Sequence, residues 1–199
     1  MQAQPLLLPA NGYRRARWHN GAGWTREIAR GEAPGGAWDW RVSIAEIEAP
    51  AEFSRFDGVD REQVLLSGGG LALESATRTV RLEAPHGRHR YPGEEGVRGV
   101  PIDGPVHAFN LMWRRGRIGA TLWHRPLVGS MVLFAEPGST WLLYLMAGQA
   151  RVGSGTPGAL LEAGDSMLVR AGADRVRQRV DGHGEALLAR LSPGPAGPQ

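Results

Sequence analysis

The feature that most constrains this chain is its punctuation. Glycine and proline, 29 and 14 of the 199 residues, break the apolar segments at close intervals. Few uninterrupted segments exceed eight residues, which suits strands joined by turns better than long helices. Trp40-Arg41-Val42-Ser43-Ile44-Ala45-Glu46-Ile47 shows the pattern: Trp40, Val42 and Ile44 fall on one face of a strand, and Arg41, Ser43 and Ala45 on the other. Further strands are expected over 63–66, 71–74, 78–82, 106–113, 118–123, 131–135, 141–146, 167–170, 176–180 and 186–191. The run Trp141 to Met146 lacks alternation and reads as a strand covered on both faces. Ten or more short strands without helical periodicity indicate an all-β chain of the sandwich or barrel class. Residues 85–99 read as a long polar loop, and 193–199 as a tail that cannot contribute to a core and is expected to be disordered.

The formal charge is +3, and every one of the 23 basic residues is arginine. A uniform replacement of lysine by arginine is a compositional bias, whereas a nucleic-acid footprint would need clustering on one face; no nucleic-acid partner is expected. The chain has no cysteine, which removes disulfides, thiolate metal sites and cysteine nucleophiles together. Met1 to Ala10 lacks the basic region and long apolar run of a secretory signal, and no apolar stretch approaches the roughly 20 residues of a membrane helix. A soluble cytoplasmic protein is expected, with no membrane partner.

The densest unusual segment is Trp18-His19-Asn20-Gly21-Ala22-Gly23-Trp24-Thr25-Arg26-Glu27-Ile28-Ala29. Its glycines permit left-handed or close-approach backbone, while Asn20, Thr25, Arg26 and Glu27 supply hydrogen-bonding groups. It reads either as a loop edging a pocket or as a tight turn with Trp18 and Trp24 in the core. This run, followed by Trp40 to Ile47 and by Phe53-Ser54-Arg55-Phe56-Asp57-Gly58-Val59-Asp60-Arg61, resembles the HutD/Ves family. Weaker likeness continues through 65–71, Tyr91-Pro92-Gly93-Glu94 and 109–115. The resemblance implies a bicupin, two jelly-roll-like β-sandwich lobes packed together. The expected division is a first lobe over 1–125, a second, degenerate lobe over 126–192 and the tail, with exchange of strands between lobes left open. For HutD the resemblance also implies an association with bacterial histidine utilisation, with urocanate or a formylated or formimino glutamate as suspected ligand. His19, Ala22, Glu94 and Ala108 depart from the family pattern, and Ala108 removes a carboxylate near the expected pocket.

Arg41 and Arg61 are the expected ligand anchors, because a guanidinium grips a carboxylate with two parallel hydrogen bonds. The alternative is structural pairing, of Arg41 with Glu46 or of Arg61 with Asp57 or Asp60. Asn20, Thr25, Ser43 and Asn110 would orient neutral groups of a ligand, with Glu46 as a further site residue. Trp24, Phe109 and Met112 are either walls or core. The leading function is a non-catalytic protein that senses or buffers a small carboxylate without a cofactor. The competing reading is a metal-independent isomerase or hydrolase with Glu46 as base and Arg41 polarising a carbonyl. A homodimer is left open.

No metal site is expected. His86 and His89 are three apart, whereas two ligands on one strand face need an even spacing. The other histidines are isolated. Pro137 to Trp141 and Gly164 to Asp174 resemble the two cupin motifs without their histidines, so the second lobe reads as a cupin that has lost its metal. Gly153-Ser154-Gly155 reads as a hairpin loop and not as a nucleophile elbow, and Gly68-Gly69-Gly70 lacks the Lys and helix of a phosphate loop.

Overall fold

The structure is a computed structural model that describes residues 4–153 and 158–194. The first ten strands are β1 (Leu6–Leu8), β2 (Arg14–Arg17), β3 (Gly23–Glu32), β4 (Trp38–Ile47), β5 (Ala51–Glu52), β6 (Val59–Ser67), β7 (Gly70–Glu74), β8 (Thr79–Glu83), β9 (Arg88–Pro92) and β10 (Arg98–Ile102). Six more follow: β11 (Val106–Arg114), β12 (Ile118–Ala135), β13 (Thr140–Val152), β14 (Ala159–Glu162), β15 (Ser166–Arg170) and β16 (Val176–Pro193). Among the described residues there is no α-helix, and no helix long and apolar enough to cross a membrane.

The chain divides into two units, Arg14–Arg117 and Met1–Tyr13 with Ile118–Gln199. The boundary expected near 125 instead falls eight residues earlier, because β12 runs unbroken through that point. The N-terminal strand β1 belongs to the unit formed by the C-terminal half, where it pairs with β15.

In the unit 14–117, a six-stranded sheet in the order β2-β3-β4-β11-β6-β9 and a four-stranded sheet in the order β5-β10-β7-β8 form a sandwich. The core between them draws Ala45, Ile47, Leu65, Val106 and Ala108 from the first sheet and Leu71, Leu73 and Leu82 from the second. On the far face of the first sheet Trp40, Val42, Ile44, Phe109, Leu111 and Trp113 are also buried. β4 and β11 are therefore buried on both faces, whereas the alternation from Trp40 to Ile47 indicates one apolar and one partly polar face. The segment 85–99 is not a loop throughout: it holds β9 and the start of β10. β9 is an edge strand whose polar residues face outward, which hid it from a hydrophobicity pattern.

The other unit is one antiparallel sheet in the order β1-β15-β13-β16-β12, with β14 paired to β13. β12 and β16 pair without a register shift from Ile118↔Pro193 to Ala135↔Val176. Each merges two strands expected separately, because neither Pro126 nor Gly182 interrupts the ladder. Pro126 lies in an edge strand, where proline is tolerated. At Gly184 a side chain would put its Cβ 1.9 Å from the carbonyl of Ala147, so only glycine allows the ribbons to approach there. Leu127, Leu133 and Ala135 of β12 and Val180, Ala186 and Leu188 of β16 share one apolar core, so both halves of these long strands enclose it. Pro193, placed in the expected tail, ends β16. The rest of that tail from 195 onward, and Ser154 and Gly155 of the expected hairpin loop, lie outside the described residues.

Candidate functional site

The interior of the 14–117 sandwich changes character along its strands. Toward one end the inward rows are apolar; two residues further along they become polar. One row across the sheet reads Glu27, Ser43, Asn110, Gln63, and the next reads Arg41, Met112, Arg61, Tyr91. Of these side chains Ser43, Asn110, Gln63, Arg41, Met112 and Arg61 line a cavity of about 440 Å³, joined by Phe53, Ser54 and Phe56 from the segment after β5 and by Trp18, His19 and Asn20 from the loop before β3. Arg41 and Arg61 flank Met112 in the same row, so their backbones are two strand spacings apart, about 10 Å.

Arg61 is 6% exposed, and no carboxylate pairs with it among the described residues. One terminal nitrogen donates to the Ser54 carbonyl at 3.3 Å and the other to Asn110 Oδ1 at 3.5 Å, while Nε is buried without a partner. Phe53, Phe56 and Tyr91 surround the guanidinium, 5.3 to 6.0 Å from ring centre to Cζ, and their π faces partly offset its charge. Burial lowers the pKa of this guanidinium, opposed in part by Tyr91, and nearby Arg41 lowers it by a lesser amount. Arginine starts so high that it stays charged. A cation withdrawn from water without a counter-ion carries a penalty of several kcal/mol, which an incoming anion would relieve.

Arg41 differs. Its Nε lies 3.0 Å from Glu27 Oε2, so its charge is offset from within the protein. Burial lowers its pKa, opposed by Glu27. Gln63 is 1% exposed; its Oε1 accepts from the Tyr91 hydroxyl at 2.9 Å, and its Nε2 is buried with no partner. Among the described residues, Arg61 Nε and Gln63 Nε2 are thus left with neither a hydrogen bond nor an acid, while Arg41 Nε makes no hydrogen bond but has Glu27 beside it, where buried polar groups are ordinarily bonded.

The rim follows from the glycine-rich segment. Gly23 opens β3 where a Cβ would sit 2.2 Å from the Glu46 carbonyl, and this close approach turns Trp18 inward. Trp18 Nε1 donates to Thr25 Oγ1 at 2.9 Å, and the ring meets Phe53 edge-on at 5.9 Å. Asn20 Oδ1 accepts from the Ala22 N–H at 3.1 Å and stays at the exposed lip. Glu94 accepts from the Gly58 N–H at 2.8 Å and pairs with Arg115. The Gly93 carbonyl accepts from the Phe56 N–H at 2.9 Å. The Tyr91-Pro92-Gly93-Glu94 segment therefore clamps the loop that carries Phe56 to the cavity. The Glu94 carboxyl is held down to about 2 by its hydrogen bond from Arg115, with backbone N–H groups adding to the effect.

Six expected site residues, Asn20, Thr25, Arg41, Ser43, Arg61 and Asn110, line this one cavity. Glu46 does not. It lies on the opposite face of β4, paired with Arg15 at 2.6 Å and Arg26 at 2.7 Å, so Glu46 and Arg41 are not assembled as base and polarising group. The structural pairings named as alternatives are also absent: Arg41 pairs with Glu27 rather than Glu46, and Asp60 is engaged by Arg90 and Arg115. Trp24 lies under Arg15 and Arg17 and Phe109 is core; of the three apolar candidates only Met112 is a wall. Ala108 sits in the apolar core beside Ala45 and Leu65 and does not line the cavity. Gln63, Phe53 and Phe56 were missed. The signal for Gln63 was its even spacing from Arg61 along one strand.

A family model described as HutD matches residues 10–188. The chain belongs to the HutD family. An uncharacterised 21.2 kDa protein in the hutC 3′ region of Pseudomonas putida is 36% identical over 121 residues, 60% of this chain and 64% of that protein. Protein Ves of Citrobacter koseri is 36% identical over 104 residues, 52% of this chain and 54% of its own length. The chain thus spans between half and two thirds of these curated relatives. The solved structure of HutD from Pseudomonas fluorescens SBW25 superposes with a TM-score of 0.82 at 27% identity, covering 96% of this chain and all of that one. YhhW from Escherichia coli, at 9% identity and a TM-score of 0.67 over 98% of this chain and all of that one, shares the fold alone. The all-β bicupin architecture expected for a HutD/Ves protein is therefore the observed one.

Proposed function

We propose that this HutD-family chain is a binding protein that senses or buffers a small carboxylate in the cytoplasm, a histidine-degradation intermediate such as urocanate or a formyl or formimino glutamate. The observation that carries the reading is Arg61: a buried cation lining a cavity, with a free donor and no acid beside it. A carboxylate there supplies the missing counter-ion and accepts two charge-assisted hydrogen bonds. Ser43, Gln63 and Asn110 face the rest of the ligand with neutral polar groups, and Phe53, Phe56 and Met112 give it apolar walls. The volume of about 440 Å³ suits a small metabolite. The histidine connection rests on family membership and on the hutC neighbourhood in the name of the Pseudomonas putida relative.

Thermal-shift titration with urocanate, N-formyl-glutamate and N-formimino-glutamate tests it. A rise in melting temperature that grows with ligand concentration is expected from binding to the folded state alone. Folded protein that shows no stabilisation by any of the three at millimolar concentration contradicts it.

A further inference from the structure

We infer that the cavity takes one carboxylate per ligand, at Arg61, and that Arg41 receives an uncharged acceptor such as a carbonyl oxygen or an imidazole nitrogen. The inference rests on the carboxylate reading above and narrows it to a ligand class. It comes from counting charge around the cavity. Three arginines line it, Arg17, Arg41 and Arg61, together with one acid, Glu52. Arg17 is paired with Glu48 at 2.8 Å on the exposed lip, and Arg41 with Glu27 at 3.0 Å. Among the described residues, Arg61 alone of the three lacks an acid.

A second ligand carboxylate would have to take Arg41 from Glu27. The Arg41 and Glu27 side chains are 22% and 18% exposed, so a displaced Glu27 would lose its closest partner in a poorly hydrated place, keeping Arg30 at 3.9 Å as its one ion-pair partner among the described residues. If the second carboxylate pointed outward instead, it would meet Glu52, which is exposed at the mouth. Arg14 and Arg30 also reach Arg41 electrostatically, but neither lines the cavity. Glu27 engages Nε, which leaves the terminal nitrogens of Arg41 as donors whose charge is already offset. Such donors suit a neutral acceptor, since a hydrogen bond to it leaves the internal ion pair in place.

The test compares N-formyl-glutamate with N-formyl-glutamine, which differ only in a side-chain carboxylate against an amide, by calorimetric titration of the full chain. The amide is expected to bind at least as tightly as the diacid. In Glu27→Gln, where Arg41 loses its counter-ion, the diacid should gain about tenfold relative to the amide. A native protein that binds the diacid tenfold or more tightly than the amide overturns the inference, and so does a ratio unchanged by Glu27→Gln. The native ratio stands without any variant, should Glu27→Gln fail to fold. Arg61→Met separates the two levels of the claim. If it binds either probe as well as the native protein, or if the native protein binds neither these probes nor urocanate, the carboxylate reading itself fails. If binding needs Arg61 but the diacid wins, only the charge count fails.

Discussion

The two units of this chain use the same antiparallel construction for opposite ends. Across the sheet of the unit 118–199, one row reads Met167, Leu143, Leu188, Trp123, all belonging to or packed on a continuous apolar core. Across the sheet of the unit 14–117, a row reads Arg41, Met112, Arg61, Tyr91, and its first three members line a cavity. Trp141, at the place where the cupin-like motif would bring a histidine, stacks on Trp123 at 5.5 Å and packs against the core. One unit holds its fold by filled volume. The other leaves volume open and keeps in it a buried charge with no acid beside it among the described residues. This is the pattern expected where structure is arranged for a site rather than for stability alone.

The largest effect that could break this comparison is in the filled unit. Leu143→Ala should destabilise the chain by about 2–5 kcal/mol in denaturant unfolding, as for other buried leucines. Met112→Ala, beside an existing cavity, should cost less than half as much, because its removal opens less new void. Equal costs would contradict the description of one unit as filled and the other as hollow.

A smaller effect concerns the neutral polar row. Ser43→Ala should weaken binding of urocanate or N-formyl-glutamate by up to about tenfold, the size of one hydrogen bond of about 0.5–1.5 kcal/mol, measured by calorimetric titration. Unfolding of the ligand-free protein should be little changed. The same substitution at Ser166, which is bonded to the Tyr13 hydroxyl at 2.8 Å in the filled unit, should lower stability and leave binding untouched.

The smallest effect belongs to the clamp on the loop that carries Phe56. Because the folded Glu94 carboxyl lies below its ordinary value of 4.5, at about 2, its contribution to stability is fully present above about pH 5 and is lost as pH falls toward 2. Melting curves of native protein and Glu94→Gln should therefore differ modestly at neutral pH and converge at the acid end. A difference that grows on acidification would contradict the role assigned to the Arg115 and Gly58 contacts.

Much of the fold was legible because alternation and turn chemistry are local. Trp40 to Ile47 declared both faces of β4, and Arg41, Ser43 and Arg61 emerged as inward polar residues. What escaped notice was set by tertiary context. β9 is polar and sits at an edge, so its strand character comes from pairing with β6 and not from its composition. β12 and β16 looked like four strands because Pro126 and Gly182 are usual breakers, and only the ladder between them shows that the chain continues. At the site, Glu46 was on the wrong face by parity: even-numbered like Val42 and Ile44, it had to point away from Arg41. The partner of Arg41, Glu27, comes from another strand across an irregular register, and pairing of that kind leaves no trace in sequence spacing.

The central claim is that the unpaired charge of Arg61 makes the hollow unit a carboxylate receptor. Side-by-side calorimetric titration of the native protein and Arg61→Met with urocanate and N-formyl-glutamate tests it most directly. The account predicts one ligand per chain for the native protein. In the variant, affinity should fall at least about 100-fold, given about 1.5–3 kcal/mol for each charged hydrogen bond lost, with a ligand-free melting temperature unchanged or raised. Retained affinity in Arg61→Met, or a folded native protein that binds neither compound, would contradict it.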